Sequence, residues 1–275
     1  MLAIKNNIMA ENAARQLGLS YDALAQSIER LSSGLRINSA KDDAAGLAVR
    51  ELMRADIAMI QQGARNAQDG ISMLQTMEGA MAVIDDTLIR MKELAEQAAT
   101  GSYSDQQRRI MNNEFGELRD EITRIAQRTE FNETSMLDCA SGSQTIHFGV
   151  DSGGTASSVA VSTVDVTATT LGITSAISLT STSNAATALT TVTTAIKAKD
   201  SARASFGYNM NRLEKSANVL GIQAENMMAS ESRVSDVDVA TEMATLTRNQ
   251  VLSQAGVSML AQANTMPQMA LNLLR

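Results

Sequence analysis

The sequence predicts a mainly α-helical chain, an elongated antiparallel coiled-coil rod with a small β-hairpin region. Three observations support this fold class. Apolar residues recur at alternating steps of three and four in long stretches near both ends, which is the spacing of a coiled-coil seam. The 275 residues include a single Pro, Pro267, so almost nothing interrupts a long helix. Residues 139–196 contain no Lys or Arg, and their alternating apolar runs are typical of strands.

The first predicted helix carries one apolar stripe at 3/4 spacing: Leu17, Tyr21, Leu24, Ile28, Leu31 and Leu35. Gly34 is suited to end this helix in the left-handed conformation. Asn38 or Ser39 is then expected to cap the next helix, with Asp42 and Asp43 in its first turn. On the residues alone, this segment is also compatible with an ordinary helix–linker–helix joint.

The following helices continue the pattern. A stripe with one extra step of three covers residues 60–98, which indicates a locally overwound coil. Its members are Ile60, Ala64, Ala67, Ile71, Leu74, Met77, Met81, Ile84, Leu88, Met91, Ala95 and Ala98. A helix over 44–99 would be roughly 80 Å long. A helix over 110–125 follows the polar break at 100–105. A last stripe consists of Phe206, Met210, Leu213, Ala217, Leu220, Ala224 and Met227.

The middle of the chain predicts strands and loops. Residues 145–150 and 159–166 alternate in polarity, and 151–154 form a turn signal. Residues 180–194 fit either a loop or the start of the last long helix. From residue 155 to 195, 20 of 41 positions are Ser or Thr. This tract is either a site of O-glycosylation, with Thr169, Thr170 and Ser181 as candidates, or simply a polar surface.

The C-terminal segment carries two apolar stripes. One consists of Val239, Met243, Leu246, Val257 and Leu260, and the other of Leu252, Ala255, Met259, Met266, Met269 and Leu273. A helix with two stripes needs two partners. We expect one to be the N-terminal helix and the other to be a second copy of the chain.

The composition excludes several classes of chemistry. The chain has one His, His147, and one Cys, Cys139, which leaves no set of residues for a Cys/His zinc site or an internal disulfide. We expect His147 to be a structural strand residue and Cys139 an incidental loop residue or, alternatively, a reactive thiol. The net charge of −7 argues against a nucleic-acid partner. No apolar run is long enough to span a membrane, and the N-terminus lacks a cleavable signal peptide.

Three segments carry a resemblance to a known family. Residues 31–47, 232–240 and 254–264, the last followed by Pro267 and a terminal Leu-Leu-Arg, resemble the signatures of bacterial flagellins. Phe131-Asn132 with Met136-Leu137-Asp138 is similar to the flagellin pattern Phe-Asn-Gly and Leu-Leu-Asp-Gly, with Glu133 and Cys139 in place of the two glycines. The resemblance covers about residues 1–150 and 197–275.

The resemblance implies a division of the chain. Residues 1–46 and 228–275 would form terminal helices plus a spoke in the inner filament core. Residues 47–150 and 197–227 would form the helical rod of an outer tube, and 151–196 a short variable segment. The implied spoke residues are Gly34, Arg36, Asn38, Asp42, Asp43, Gly46, Arg233, Asp236 and Asp238. The implied packing residues between subunits are Leu17, Leu24, Leu31, Val239, Met243, Leu246 and Leu260. Arg90, Leu94 and Glu114 match the motif recognised by the flagellin-sensing Toll-like receptor.

The function predicted from this resemblance is that of a structural subunit that self-assembles into the bacterial flagellar filament, with neither enzymatic activity nor cofactor. Its implied partners are further copies of itself, the flagellar export apparatus, an export chaperone, the cap and hook–filament junction proteins, and the host receptor. The implied location is the extracellular filament, reached by the flagellar type III route. The alternatives are a hook–filament junction protein and a soluble helical export chaperone or adaptor.

Overall fold

The computed structural model describes residues 6–138, 142–149 and 157–273. Within these residues there are five helices and two antiparallel two-stranded sheets. The helices are α1 (Ile8–Ser33), α2 (Ala44–Ala99), α3 (Asp105–Arg128), α4 (Thr182–Ser235) and α5 (Val239–Leu273), and the strands are β1 (Glu130–Phe131), β2 (Thr134–Ser135), β3 (Ser143–His147) and β4 (Ser158–Ser162). The prediction of a mainly helical chain with a small hairpin region is confirmed.

The chain divides into two compact units. The terminal unit consists of Met1–Ile57 and Glu225–Arg275, and the central unit consists of Ala58–Ala224.

The core of the central unit is built from the predicted stripe of α2. Its residues from Leu74 to Leu88, including Met77 and Met81, have no solvent exposure. Phe206 and Leu213 of α4 are equally buried. The 3/4 spacing therefore identified the faces that these helices bury.

Residues 182–194 are helical, which decides between the two interpretations of this Thr-rich segment. Ala185, Ala188 and Val192 are fully buried and extend the apolar stripe of α4 toward its N-terminus. Thr hydroxyls on the other faces donate to backbone carbonyls one turn earlier, as Thr187 does to Ser183 at 3.2 Å. Such local bonds satisfy the hydroxyls within the helix, so the Thr content does not prevent helix formation.

The β1–β2 hairpin turns through Asn132 and Glu133, at φ +50° and +63°. Two consecutive positive φ values are characteristic of the tight turns that match the twist of a hairpin. Asn tolerates this conformation well, whereas Glu pays a steric penalty. The structure thus keeps a left-handed backbone at Glu133, where the flagellin pattern has Gly.

The β3–β4 hairpin lies directly on α2. The amide of Asn66 donates to the carbonyl of His147 at 2.9 Å. A Cβ atom at Gly63 would overlap the carbonyl oxygen of Phe148, so the absence of a side chain allows this close approach. The predicted turn at 151–154 lies outside the described residues.

In the terminal unit, α1 packs antiparallel against α5. The amide of Asn7 donates to the carbonyl of Ala263 at 2.8 Å, which joins one end of the pair. A Cβ atom at Gly256 would meet Leu17 Cδ1 at 3.0 Å, so the two helices lie close together in the middle. At the other end Arg30 Nη1 is 3.8 Å from Glu242 Oε2. The sequence-distant termini therefore form one helix pair.

Candidate assembly and recognition surfaces

The seam between α1 and α5 is made largely of small and polar side chains. Ser27, Asn249 and Ser253 are buried there. The predicted α1 stripe is partly wrong, because Tyr21 and Ile28 are 49% and 52% exposed. The seam passes through Ser20 and Ser27 instead, since small residues allow closer approach of the two backbones. The leucines shared by both patterns are half-buried: Leu17, Leu24 and Leu31.

The larger apolar side chains of the terminal unit face outward. On α5, Met243 and Val257 lie on one side of the seam, while Leu252 and Met259 lie on the other. Leu246 and Leu260, the members of the first stripe that lie toward the seam, are half-buried. We call the outward set the apolar faces: Ile8, Met9, Leu19, Tyr21, Ile28, Val239, Met243, Val251, Leu252, Val257 and Met259. Extended exposed apolar surface of this kind marks an interaction site.

Two linkers of the terminal unit run side by side: residues 34–43, between α1 and α2, and residues 236–238, between α4 and α5. Gly34 ends α1 at φ +74°, as predicted. Arg36 donates from its backbone to the carbonyl of Ser235 at 2.6 Å and from its guanidinium to that of Val234 at 2.8 Å. The backbone of Val237 donates to the carbonyl of Gly34 at 3.0 Å. The structure thus brings together the two halves of the predicted spoke.

Asp42 and Asp43 shape the entry to α2. Asp42 accepts from the backbones of Asn38 and Ser39 at 3.3 and 3.0 Å and from the Ser39 hydroxyl at 3.0 Å. These bonds, led by that from the Ser39 backbone, hold the pKa of Asp42 below its usual value. Asp43 accepts from the Gly46 backbone at 2.9 Å. The prediction that Asn38 or Ser39 caps α2, with Asp42 and Asp43 in its first turn, is wrong, because α2 begins at Ala44 and Asp43 acts as its cap.

Arg50 is a residue of this region that the sequence reasoning missed. Its guanidinium is buried and donates to the carbonyl of Ile37 at 2.7 Å. A Cβ atom at Gly46 would meet Ile37 Cδ1 at 2.7 Å, so the linker folds tightly onto the first turns of α2. Gly46 and Arg50 are spaced i,i+4 and therefore lie on one face of α2, and this spacing is the sequence feature that could have indicated their shared contact with the linker.

The second linker ends in another Asp cap. Asp238 accepts from the backbone of Ala240 at 3.0 Å and from the Thr241 hydroxyl at 2.7 Å. These bonds, led by that from the Thr241 side chain, lower the pKa of Asp238. Asp236 accepts from the Ser232 hydroxyl at 2.6 Å, and the exposed Arg233 donates to the Ser230 hydroxyl at 2.8 Å.

Arg90 and Glu114 form an exposed ion pair between α2 and α3. Arg90 Nη2 is 2.8 Å from Glu114 Oε1, and Arg90 Nη1 is 3.2 Å from Glu93 Oε2. These bonds, led by that to Glu114, raise the pKa of Arg90. Leu94 is 2% exposed. The structure therefore presents Arg90 and Glu114 on the surface and places Leu94 in the core beneath them.

The candidate glycosylation residues differ in their surroundings. Thr169 is exposed. Thr170 donates to Asp165 at 2.5 Å, and the Ser181 hydroxyl accepts from the Asn184 backbone at 3.2 Å. Modification of this tract stays a prediction, with Thr169 and Thr170 exposed and Ser181 half-buried. Cys139 lies outside the described residues, as does the start of the tract at Thr155.

Among the described residues no group of three or more His, Cys, Asp or Glu could hold a metal ion. Across those same ranges no helix is long and apolar enough to cross a bilayer.

Sequence comparisons place most of the chain in one family. A model of the bacterial flagellin N-terminal helical region matches residues 4–142, and a model of the C-terminal helical region matches residues 189–274. The chain is 41% identical to a flagellin of Halalkalibacterium halodurans, and 38% identical both to a flagellin of Bacillus subtilis and to flagellin FlaB2 of Treponema pallidum. Each comparison covers 100% of both chains.

Solved structures agree with this assignment. The crystal structure of Bacillus cereus flagellin is 33% identical, with a TM-score of 0.51 over 61% of this chain and 94% of that one. A putative flagellar hook-associated protein of Vibrio parahaemolyticus has a TM-score of 0.57 over 71% of this chain and 100% of that one. At 14% identity the second match shows the fold alone.

Proposed function

The chain belongs to the bacterial flagellin family and is a structural subunit of the flagellar filament, and we propose that its terminal unit makes the contacts that build the filament core. The observation that carries this proposal is the set of apolar faces on α1 and α5. These helices pair through a small, polar seam and leave their larger apolar side chains uncovered. Further copies of the chain are the partners that a self-assembling subunit has available.

The arrangement of the faces favours an open assembly. The two stripes of α5 lie on opposite sides of the seam, so one helix pair can contact different neighbours at once. Contacts between unlike surfaces of identical chains generate helical filaments when the rotation does not close. In this proposal 1–46 and 228–275 belong to the filament core, 47–150 and 197–227 to an outer tube, and 151–196 to a short variable segment.

The paired linkers have a role in the same proposal. The bonds from Arg36 to Val234 and Ser235 and the buried Arg50–Ile37 contact hold the two linkers to each other and to the start of α2. Such contacts between the linkers and α2 suit a structural subunit. We propose that the chain has no enzymatic activity, in keeping with a structural family and a single His and Cys.

Assembly of the full chain and of a variant lacking residues 1–35 tests this proposal. Purified monomers would be seeded with filament fragments and observed by electron microscopy. We expect long filaments from the full chain and none from the variant, because the deletion removes α1 and half of the apolar faces. Closed small oligomers from both proteins would contradict the proposal and favour an adaptor. Addition to filament ends without propagation would indicate a junction protein.

Export is a second part of the proposal, and membership of the flagellin family supports it. We place the chain in the extracellular filament, reached by the flagellar type III route, with the export apparatus, an export chaperone, the cap and the hook–filament junction proteins as partners. The same deletion variant provides a separate readout in cells. Retention of the variant and release of the full chain into the medium would support an N-terminal export signal, and equal release would refute it.

Recognition by a flagellin-sensing Toll-like receptor is proposed for the exposed pair of Arg90 and Glu114. The change Arg90→Ala removes a cation that is half exposed and held in place by two carboxylates. We expect it to lower receptor activation by monomer at least tenfold, or about 1.4 kcal/mol. Leu94 would contribute by packing beneath the pair.

Arg124→Ala is the matched control for this experiment. Arg124 forms a comparable exposed ion pair on α3, with Glu121. A reporter-cell assay with monomeric protein gives the readout. Equal losses of activation from both variants, or none from Arg90→Ala, would rule out a specific role for Arg90.

A further inference from the structure

Lys199 occupies a core position of α4. It is 1% exposed, and it lies in the apolar stripe that contains Ala195, Ala202 and Phe206. We propose that Lys199 fixes the axial register of α4 against α2 in the central unit. A single Lys or Asn in a helical seam is a known means of specifying register at some cost in stability.

The partners of Lys199 come from both helices. Its Nζ is 2.5 Å from Asp85 Oδ1 of α2 and 2.8 Å from Asp200 Oδ1 of α4. One turn further along α4, Arg203 Nη2 is 3.1 Å from Glu78 Oε1, and its Nη1 is 3.8 Å from Asp85 Oδ2. Lys199 and Arg203, four residues apart on α4, thus pair with Asp85 and Glu78, which are seven residues apart on α2.

The apolar contacts between α2 and residues 185–202 of α4 discriminate weakly between registers. The α2 stripe repeats similar side chains: Leu74, Met77, Met81, Ile84, Leu88 and Met91. Met adapts to irregular gaps because it is unbranched, and α4 presents mostly Ala between residues 185 and 202. The two helices are joined by residues 100–181, so no short turn sets their alignment.

A shift by one heptad breaks the charge pattern in either direction. Such a shift moves α4 by about 10 Å. In one direction Lys199 comes opposite Lys92, which places like charges together. In the other direction Lys199 meets Glu78, and Arg203 lies opposite Ile71 and has to share Glu78 with Lys199. Of these three alignments, the observed one alone gives each cation an acid of its own on α2, whereas Asp200 stays beside Lys199 in every alignment.

In this proposal Lys199 determines the register of α4 without raising the stability of the central unit. A buried ion pair is often no more stabilising than apolar residues of similar volume. In the change Lys199→Met, Asp85 keeps Arg203 within 3.8 Å and Asp200 stays exposed, so no buried charge is left alone. We therefore expect this variant to melt no lower than the parent chain and to lose its single register.

Spin labels on α2 and α4 report the register directly. In a Cys139→Ser background, the exposed positions Gln75 and Thr190 would be changed to Cys and labelled, and their distance measured by pulsed electron resonance on the full-length monomer. The parent and Lys199→Arg, which keeps the charge, should give one distance. Lys199→Met should add a population displaced by up to about 10 Å.

Two outcomes would overturn the proposal. One is a single, unchanged distance in Lys199→Met, which would mean that the apolar contacts alone set the register. The other is a Met variant that loses helix content or melts lower than the parent, which would make Lys199 a stabilising residue. Circular dichroism and thermal melting of the labelled proteins distinguish these outcomes.

Discussion

The change Met243→Asp in α5 is expected to abolish filament growth while leaving the monomer folded. Met243 is 47% exposed in the single chain and belongs to the apolar faces, so a carboxylate there is solvated before assembly. In the filament the same position would be covered by a neighbouring copy. The charge would then lose its water without gaining a partner, and this loss would recur at every subunit.

The expected size of the effect follows from two contributions. Burying a Met side chain is worth about 1.5–3 kcal/mol, and leaving a carboxylate buried and unpaired costs several kcal/mol more. A loss of about 3 kcal/mol per contact already raises the critical concentration about 100-fold, since 1.4 kcal/mol corresponds to a factor of ten. Sedimentation of seeded protein over a range of concentrations measures this quantity.

Two control variants make the result specific. Met243→Leu keeps an apolar side chain of similar volume and should polymerise nearly as well as the parent. Thr190→Asp places the same charge at an exposed position of α4 in the central unit, a residue that does not belong to the apolar faces. Filaments from Met243→Asp at the parent's critical concentration would show that this side of α5 stays in water after assembly.

The sequence was sufficient for the central unit because its helices bury one continuous stripe. The predicted stripe from Ile60 to Ala98 has no polar member, and the structure buries all of it except Ala64 and Ile71, which are half-buried. The terminal unit was harder to predict. Its α1 carries apolar residues on more than one face, and the largest of them, including Tyr21 and Ile28, face outward. Periodicity shows where apolar residues are, but not which of two partners covers them.

The candidate sites were predictable to different degrees. Gly34 could be assigned because a helix followed by Gly has few alternatives. The residue that caps α2 could not be assigned, since Asp42 and Asp43 are equally good acceptors and the cap depends on the path of the linker. Leu94 is a third case. It matches the receptor motif by its position in the sequence, but the fold buries its side chain. Lys199 breaks the apolar stripe of α4, and its burial depends on Asp85 of another helix.

Replacing Phe206 with Ala in α4 should cause the largest loss of stability in the central unit. Phe206 has no solvent exposure, and the chain has only four Phe and no Trp, so few large side chains fill this core. Removal of a buried Phe ring typically costs 3–5 kcal/mol, because the cavity collapses incompletely. For a unit of this size that corresponds to a melting temperature lower by about 6–20 °C.

The neighbouring aromatic residue provides the control. Tyr208 lies two positions further along α4 and is 63% exposed, so Tyr208→Ala removes a ring of similar size from the surface and should change the stability by about 0.5 kcal/mol or less. Both variants would be melted as full-length monomers and followed by circular dichroism. A comparable loss in the two would mean that burial of the Phe206 ring is not the source of the loss, since both substitutions introduce Ala, which has a higher helix propensity than either aromatic residue. A large loss from Phe206→Ala alone would assign the stability of this unit to the side chains that the 3/4 spacing brings together.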